Sequence, residues 1–213
     1  MKKAFLSIAS ILFVFLSFAQ NSSEAKAILD KTYANYENSK GVKISFSFSA
    51  VENNTVHQQQ KGTAKVKGNK FKTETSGIDT WFDGKTQWVL MKDFNEVNIS
   101  EPTPEELASI SPIALLNIYK TGFMLRDPKS QTIGNKDVAV IDMTPTGTKS
   151  DFKDISVAID KSNFTIVQVL LTLKNGLRNK IDITEYNTNF NFNDSDFLFN
   201  RNKYPGVEII DLR

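Results

Sequence analysis

The chain has no cysteine. That excludes disulfide staples, a thiolate nucleophile, a cysteine-ligated metal and a lipid-modified N-terminal cysteine. Histidine is nearly as scarce, with His57 alone among 213 residues. Metal sites built on two or more histidines are therefore excluded by count. His57 lies in the polar stretch Asn53-Asn54-Thr55-Val56-His57-Gln58-Gln59-Gln60. It reads as a surface residue, because the partners a general base needs are missing. No glycine-rich phosphate loop is present, and Asp151, Asp154 and Asp160 do not form an Asp-x-Asp-x-Asp-Gly calcium loop. Only four residues are arginine (Arg126, Arg178, Arg201 and Arg213), which disfavours bidentate phosphate or carboxylate recognition. These shortages together predict no catalysis, no metal and no cofactor. A hydrolase using a carboxylate pair stays open, although the acids fall mostly in turns and at polar strand positions.

The N-terminus has its own chemistry. Met1-Lys2-Lys3 is a short basic segment, Ala4 to Phe18 is largely apolar, and Ser17-Phe18-Ala19 places small residues where a signal peptidase cuts. Residues 1–19 are expected to be a cleaved signal peptide and residues 20–213 one exported domain, soluble in its compartment. The apolar run is shorter than the roughly 20 residues of a spanning helix. Removing Lys2 and Lys3 leaves basic and acidic residues equal at 24 each. Balanced charge argues against a nucleic-acid partner and against attachment to anionic lipid by charge alone.

What is abundant is apolar and aromatic. Residues 22–38 predict a helix, since Ala25, Ile28, Leu29, Thr32, Tyr33 and Tyr36 share one face of a 3.6-residue period. Asn21 or Ser22 can cap it. The pattern then changes to period two: Val42, Ile44, Phe46, Phe48 and Ala50 alternate with Lys43, Ser45, Ser47 and Ser49. That alternation marks an antiparallel sheet covered on one side. Gly62, Ala64 and Val66 continue a face, and Asp83-Gly84 joins two aromatic strands in a hairpin. After Glu101-Pro102-Thr103-Pro104, a short helical turn at 103–109 precedes a helix opened by Ser111-Pro112 and carrying Ile113, Leu115, Leu116 and Ile118. The second half is nearly all strand, with turns at Gly134-Asn135 and Asn175-Gly176. The expected fold is mainly β: an unclosed antiparallel β-barrel of about ten or eleven strands, with an N-terminal helix and a mid-chain helical lid.

Three blocks make the chain similar to the LolA-type periplasmic lipoprotein carriers. They are Lys65-Val66-Lys67-Gly68-Asn69-Lys70-Phe71-Lys72, then Asp83-Gly84-Lys85-Thr86-Gln87-Trp88-Val89 with Asn95-Glu96-Val97, then Ser111-Pro112-Ile113-Ala114-Leu115-Leu116. The ending Phe197-Leu198-Phe199 … Pro205-Gly206-Val207-Glu208 also resembles that family. The resemblance implies a monomeric chaperone that takes acyl chains of lipoproteins from an inner-membrane ABC-type extractor and delivers them to an outer-membrane acceptor. It implies a lipid-binding cavity, for which the candidates are Phe46, Phe48, Trp81, Trp88, Leu90, Ile113, Leu116 and Ile118, with Ile28 and Leu29 at the rim. Trp81 and Trp88 are assigned inward, with packing outside against a helix as the alternative. The family's lid-latching arginine corresponds here to Lys67. On this view Leu116→Glu should spare the fold and abolish acyl uptake. The alternatives are a carrier or sensor of another lipid or glycolipid, and an exported interaction module with a filled core.

Overall fold

The computed structural model describes residues 21–52, 55–120 and 122–213. Helix α1 spans Ser23–Glu37. Its cap is Ser22, whose Oγ accepts from the Ala25 amide at 3.2 Å. Asn21 instead ties the entry to a later strand, its Oδ1 accepting from Leu125 N at 2.6 Å. The helix buries Ala25, Leu29, Thr32 and Tyr36, the face its period predicts.

Among the described residues, thirteen strands form one continuous sheet. In the first half they are β1 (Val42–Glu52), β2 (Thr55–Lys67), β3 (Lys70–Thr75), β4 (Ile78–Phe82), β5 (Gln87–Met91) and β6 (Glu96–Ser100). Two short helices follow, α2 (Pro104–Ile110) and α3 (Pro112–Ile118). The second half holds β7 (Phe123–Leu125), β8 (Lys129–Ile133), β9 (Lys136–Pro145), β10 (Phe152–Asp160), β11 (Ile166–Leu173), β12 (Arg178–Asn187) and β13 (Glu208–Asp211). Their order is β13-β6-β5-β4-β3-β2-β1-β12-β11-β10-β9-β7, with β8 also on β9. Every pairing is antiparallel except β13 on β6. Among the described residues the two ends of this path do not meet, so the barrel is open, as expected. The strands number thirteen where about ten or eleven were expected.

One large buried cluster fills the concave side. It joins Ala25 and Leu29 of α1, Ile113, Leu115, Leu116 and Tyr119 around α3, and Ile141, Met143, Ile155, Val157, Ile166 and Val169 from β9–β11. A second, separate cluster lies on the convex side: Trp81, Leu90, Val97 and Val207, with Trp88, Ile99, Phe199, Tyr204 and Ile209 against it. The segment after β12 crosses that side and covers it, with two 3-10 turns at Asp194–Phe197 and Arg201–Lys203.

Candidate functional site

Alternation decides which side chains can meet a ligand. On β1 the residues Ile44, Phe46 and Phe48 face inward, and across the pairings they meet Ala64, Gly62 and Gln60 of β2. The inward register continues through Thr73 and Thr75 of β3 and Thr80 of β4. On the other side it continues through Ile181 and Ile183 of β12. All of these except Gly62, with Val66, Gln58, Ile78, Ile110 and Ser111, line a groove of about 250 Å³. None of the lining residues is charged.

Glycine at position 62 makes room for the aromatic floor. A Cβ there would stand 2.6 Å from Phe46 Cζ and 2.7 Å from the Glu74 carbonyl oxygen. The Phe46 ring can therefore lie against the β2 backbone instead of standing up into the groove.

The roof is the junction of α2 and α3. Ser111 serves both helices: its amide donates to the Leu107 carbonyl at 3.0 Å, and its Oγ accepts from Ala114 N at 3.3 Å. The start of α2 is fixed by a capping box, with Thr103 N donating to Glu106 at 2.7 Å and Glu106 N to Thr103 at 3.3 Å. Beneath the junction a second cavity of about 200 Å³ is lined by Val66, Phe71, Phe82, Leu107, Ile113 and Ile118, among others. Val66 and Ser111 border both spaces.

The two lid helices are held differently. The residue after α3, Tyr119, is 2% exposed and its hydroxyl donates to Asp30 of α1 at 2.5 Å. Burial and this bond push the Tyr119 phenol upward, so it stays a donor. Lys26 hydrogen-bonds to Asp30 at 2.6 Å, and the Asp30 carboxyl is held below its ordinary value by Lys26 first and Tyr119 second. Helix α1 is itself fastened to the β2–β3 turn, where the Tyr36 hydroxyl donates to the Gly68 carbonyl. Helix α2, in contrast, ends in Ile110, which is 38% exposed over the groove.

Several expected site residues are found elsewhere. Phe46 and Phe48 line the groove, and Ile113 and Ile118 line the second cavity. Leu29 is fully buried, with Ile28 packed against the same core. Leu116 is 1% exposed and lines neither space, so Leu116→Glu would put a charge in the core and could not spare the fold. Trp81, Trp88 and Leu90 are on the convex side. Inward Thr80 and Phe82 flank Trp81, and Trp81 pairs directly with Trp88. Trp81 lies edge-on to Phe199 at 5.4 Å and to Tyr204 at 5.9 Å between ring centroids. Its cover is this late segment, not a helix. Lys67 does not reach the lid: its Nζ donates to the Phe192 carbonyl at 2.9 Å and to Asp194 at 3.1 Å, fastening the late segment instead. The lid's fastening to α1 is the Tyr119–Asp30 bond.

Ile110, Ile181, Ile183, Thr73, Thr80, Gln58 and Gln60 also line the groove, although none of them was expected there. A signal existed for some of them. Gln58 and Gln60 extend backward the period-two face of Gly62, Ala64 and Val66, and Ile181-Asp182-Ile183 is itself an alternation.

Residues 15–175 match the family described as outer membrane lipoprotein carrier protein LolA. No curated protein matches the chain. Among solved structures, an uncharacterized conserved protein from Thermus thermophilus is similar, with a TM-score of 0.59 at 12% identity over 88% of this chain and 98% of that one. A LolA superfamily protein from Nitrosomonas europaea gives 0.47 at 11% identity over 84% and 99% of the two chains. The Mycobacterium tuberculosis lipoprotein LppX gives 0.46 at 14% identity over 76% and 96%. At 12% identity the likeness to the Thermus thermophilus protein is one of fold.

Proposed function

The chain belongs to the family of outer membrane lipoprotein carrier proteins, and from that premise we propose that it shelters the acyl chains of lipoproteins in the groove beneath Ile110. On this reading it is exported by its leader, works in the periplasm without catalysis, receives cargo from an inner-membrane ABC-type extractor and passes it to an outer-membrane acceptor. The observation that carries the reading is the uncharged, largely apolar groove roofed by a partly exposed helix end. Each buried methylene is worth about 0.8 kcal/mol, so an acyl chain needs such cover to cross water. Release needs the cover to open. Helix α2 is the part that can yield, because α3 is tied to α1 through Tyr119. Opening costs free energy, which lowers net affinity and keeps transfer reversible.

The volume favours a second reading beside the first. The groove, about 250 Å³, is under the roughly 300–1,000 Å³ usual for ligand pockets. A single-chain lipid fits more readily than a triacylated peptide, which requires α2 to move aside and the second cavity to join. Native mass spectrometry of protein purified from a periplasmic fraction tests both. A bound acylated peptide supports the lipoprotein carrier, and a free single-chain lipid supports the second reading. Ligand-free protein that also fails to take up a fluorescent acyl peptide would refute both.

A further inference from the structure

We propose that the groove prefers acyl ligands whose head is neutral and hydrogen-bonding, such as a glyceride, an amide-linked peptide or a glycoside, over ligands with an anionic head. This rests on the carrier reading and narrows its ligand. Two observations carry it.

The first is where the charges go. Along β2 and β3 the charged residues occupy the outward positions, and their partners lie outside the groove as well. Lys72 pairs with Glu74 at 2.6 Å, Lys65 with Asp196 at 3.7 Å, and Lys67 and Lys70 each with Asp194 at 3.1 Å. Lys92 reaches the Thr75 carbonyl at 2.6 Å, beside the groove, but Asp79 neutralises it at 2.7 Å. His57 faces Glu52 at 3.7 Å. An anionic head entering the groove would lose water and find no countercharge on the lining.

The second is a stripe of uncharged polar groups. Gln58 and Gln60 of β2, Thr73 and Thr75 of β3 and Thr80 of β4 share the groove wall. Thr73 and Thr80 are directly paired across the strands. The Thr75 hydroxyl donates to the Ile78 carbonyl at 2.8 Å. Thr80 is 6% exposed, Gln60 and Thr73 are half-buried and Gln58 is exposed, and none of these four side chains has a protein hydrogen-bond partner among the described residues. Water in the open groove serves them, and a ligand that displaces that water keeps its affinity only if it replaces those hydrogen bonds. Amides and hydroxyls both donate and accept, which suits ester, amide and sugar oxygens and hydroxyls. A head of that kind takes over the hydrogen bonds that water makes to the stripe.

The test is competition for the neutral probe laurdan on the full chain, using competitors that share one dodecyl chain: monolauroylglycerol, lauroylglycinamide, dodecyl glucoside, laurate and dodecyl phosphate. The neutral compounds should displace the probe at concentrations at least about tenfold lower than the anionic ones, and their mutual order identifies the head. Thr80→Val combined with Gln60→Leu should weaken the best neutral competitor by about fivefold relative to laurate. Equal displacement by neutral and anionic compounds in the unmodified protein overturns the preference while leaving the carrier reading intact. A neutral-over-anionic ratio that is the same in the folded double variant as in the unmodified protein overturns the role of the stripe. Failure of every compound, and of laurdan itself, to bind would remove the carrier reading and this inference together.

Discussion

Ile110 and Leu116 are six residues apart in the lid, and the structure gives them opposite roles. Ile110 is 38% exposed over the groove, and Leu116 is 1% exposed in the core. Fully burying an isoleucine side chain is worth about 1.5–3 kcal/mol. A ligand that covers the remaining exposed fraction of Ile110 therefore gains roughly 0.6–1.1 kcal/mol from it, or about a three- to sixfold change in affinity. Ile110→Ala should weaken an acyl probe by that factor and shift stability by no more than about 0.5–1 kcal/mol, as for a partly exposed site. Leu116→Ala should do the reverse. It should cost about 2–5 kcal/mol through the cavity it leaves, with unchanged affinity in the molecules that remain folded. Urea unfolding gives the stabilities, and probe titration at low urea gives the affinities. If Leu116→Ala binds poorly while folding normally, or Ile110→Ala unfolds while binding normally, the division between a fixed α3 and a yielding α2 is wrong.

Gly62→Ala puts a methyl 2.7 Å from the Glu74 carbonyl and 2.6 Å from the Phe46 ring. Overpacking of this kind should cost about 1–3 kcal/mol, seen as a lower thermal midpoint, and the displaced ring should reduce acyl uptake; a neutral effect on both would refute the tight packing. Phe199→Ala should expose Trp81, red-shift its fluorescence and destabilise the fold by about 2–4 kcal/mol, while Trp88→Phe should leave acyl binding unchanged. Lost binding in either folded variant would mean that the convex cluster belongs to the site. The Asp30 carboxyl is depressed by Lys26 and Tyr119, so its stabilising contribution is present above the unfolded carboxylate value of about 3.9 and is lost as pH falls through the lower folded value. Tyr119→Phe returns Asp30 toward its ordinary value, so its urea midpoint should approach that of the unmodified protein as the solution is acidified below about pH 4. A gap that stays constant with pH would show that Tyr119 is not bonded to an ionised Asp30.

The strands, turns and caps of this protein are legible in its sequence because they depend on neighbours a few residues away. Val42 to Ala50 alternates, Ser22 precedes an amphipathic run, and Asp83-Gly84 stands between two apolar segments. The Asp83 Oδ1 accepts from Lys85 N at 2.9 Å and Thr86 N at 2.8 Å, the local bonding such a turn residue provides. The family is legible for the same reason, since its matching blocks are local. Parity within the hairpin is legible too: Trp81 and Trp88 had to share a side once Asp83-Gly84 formed the turn. What period two cannot say is which side is inside when both are apolar. On β4, Thr80 and Phe82 face the groove side while Trp81 faces outward, and the choice is made by Phe199 and Tyr204, which arrive more than a hundred residues later to cover Trp81. The lid behaves likewise. An all-round apolar helix must be covered, and only α1 and β9–β11, supplying that cover, turned Leu116 into core and left Ile110 as the open edge. Local chemistry thus set the elements and their faces. Burial is a property of partners brought together by the chain's long-range path, so the hollow, its roof and its uncharged wall existed only once the sheet had curled.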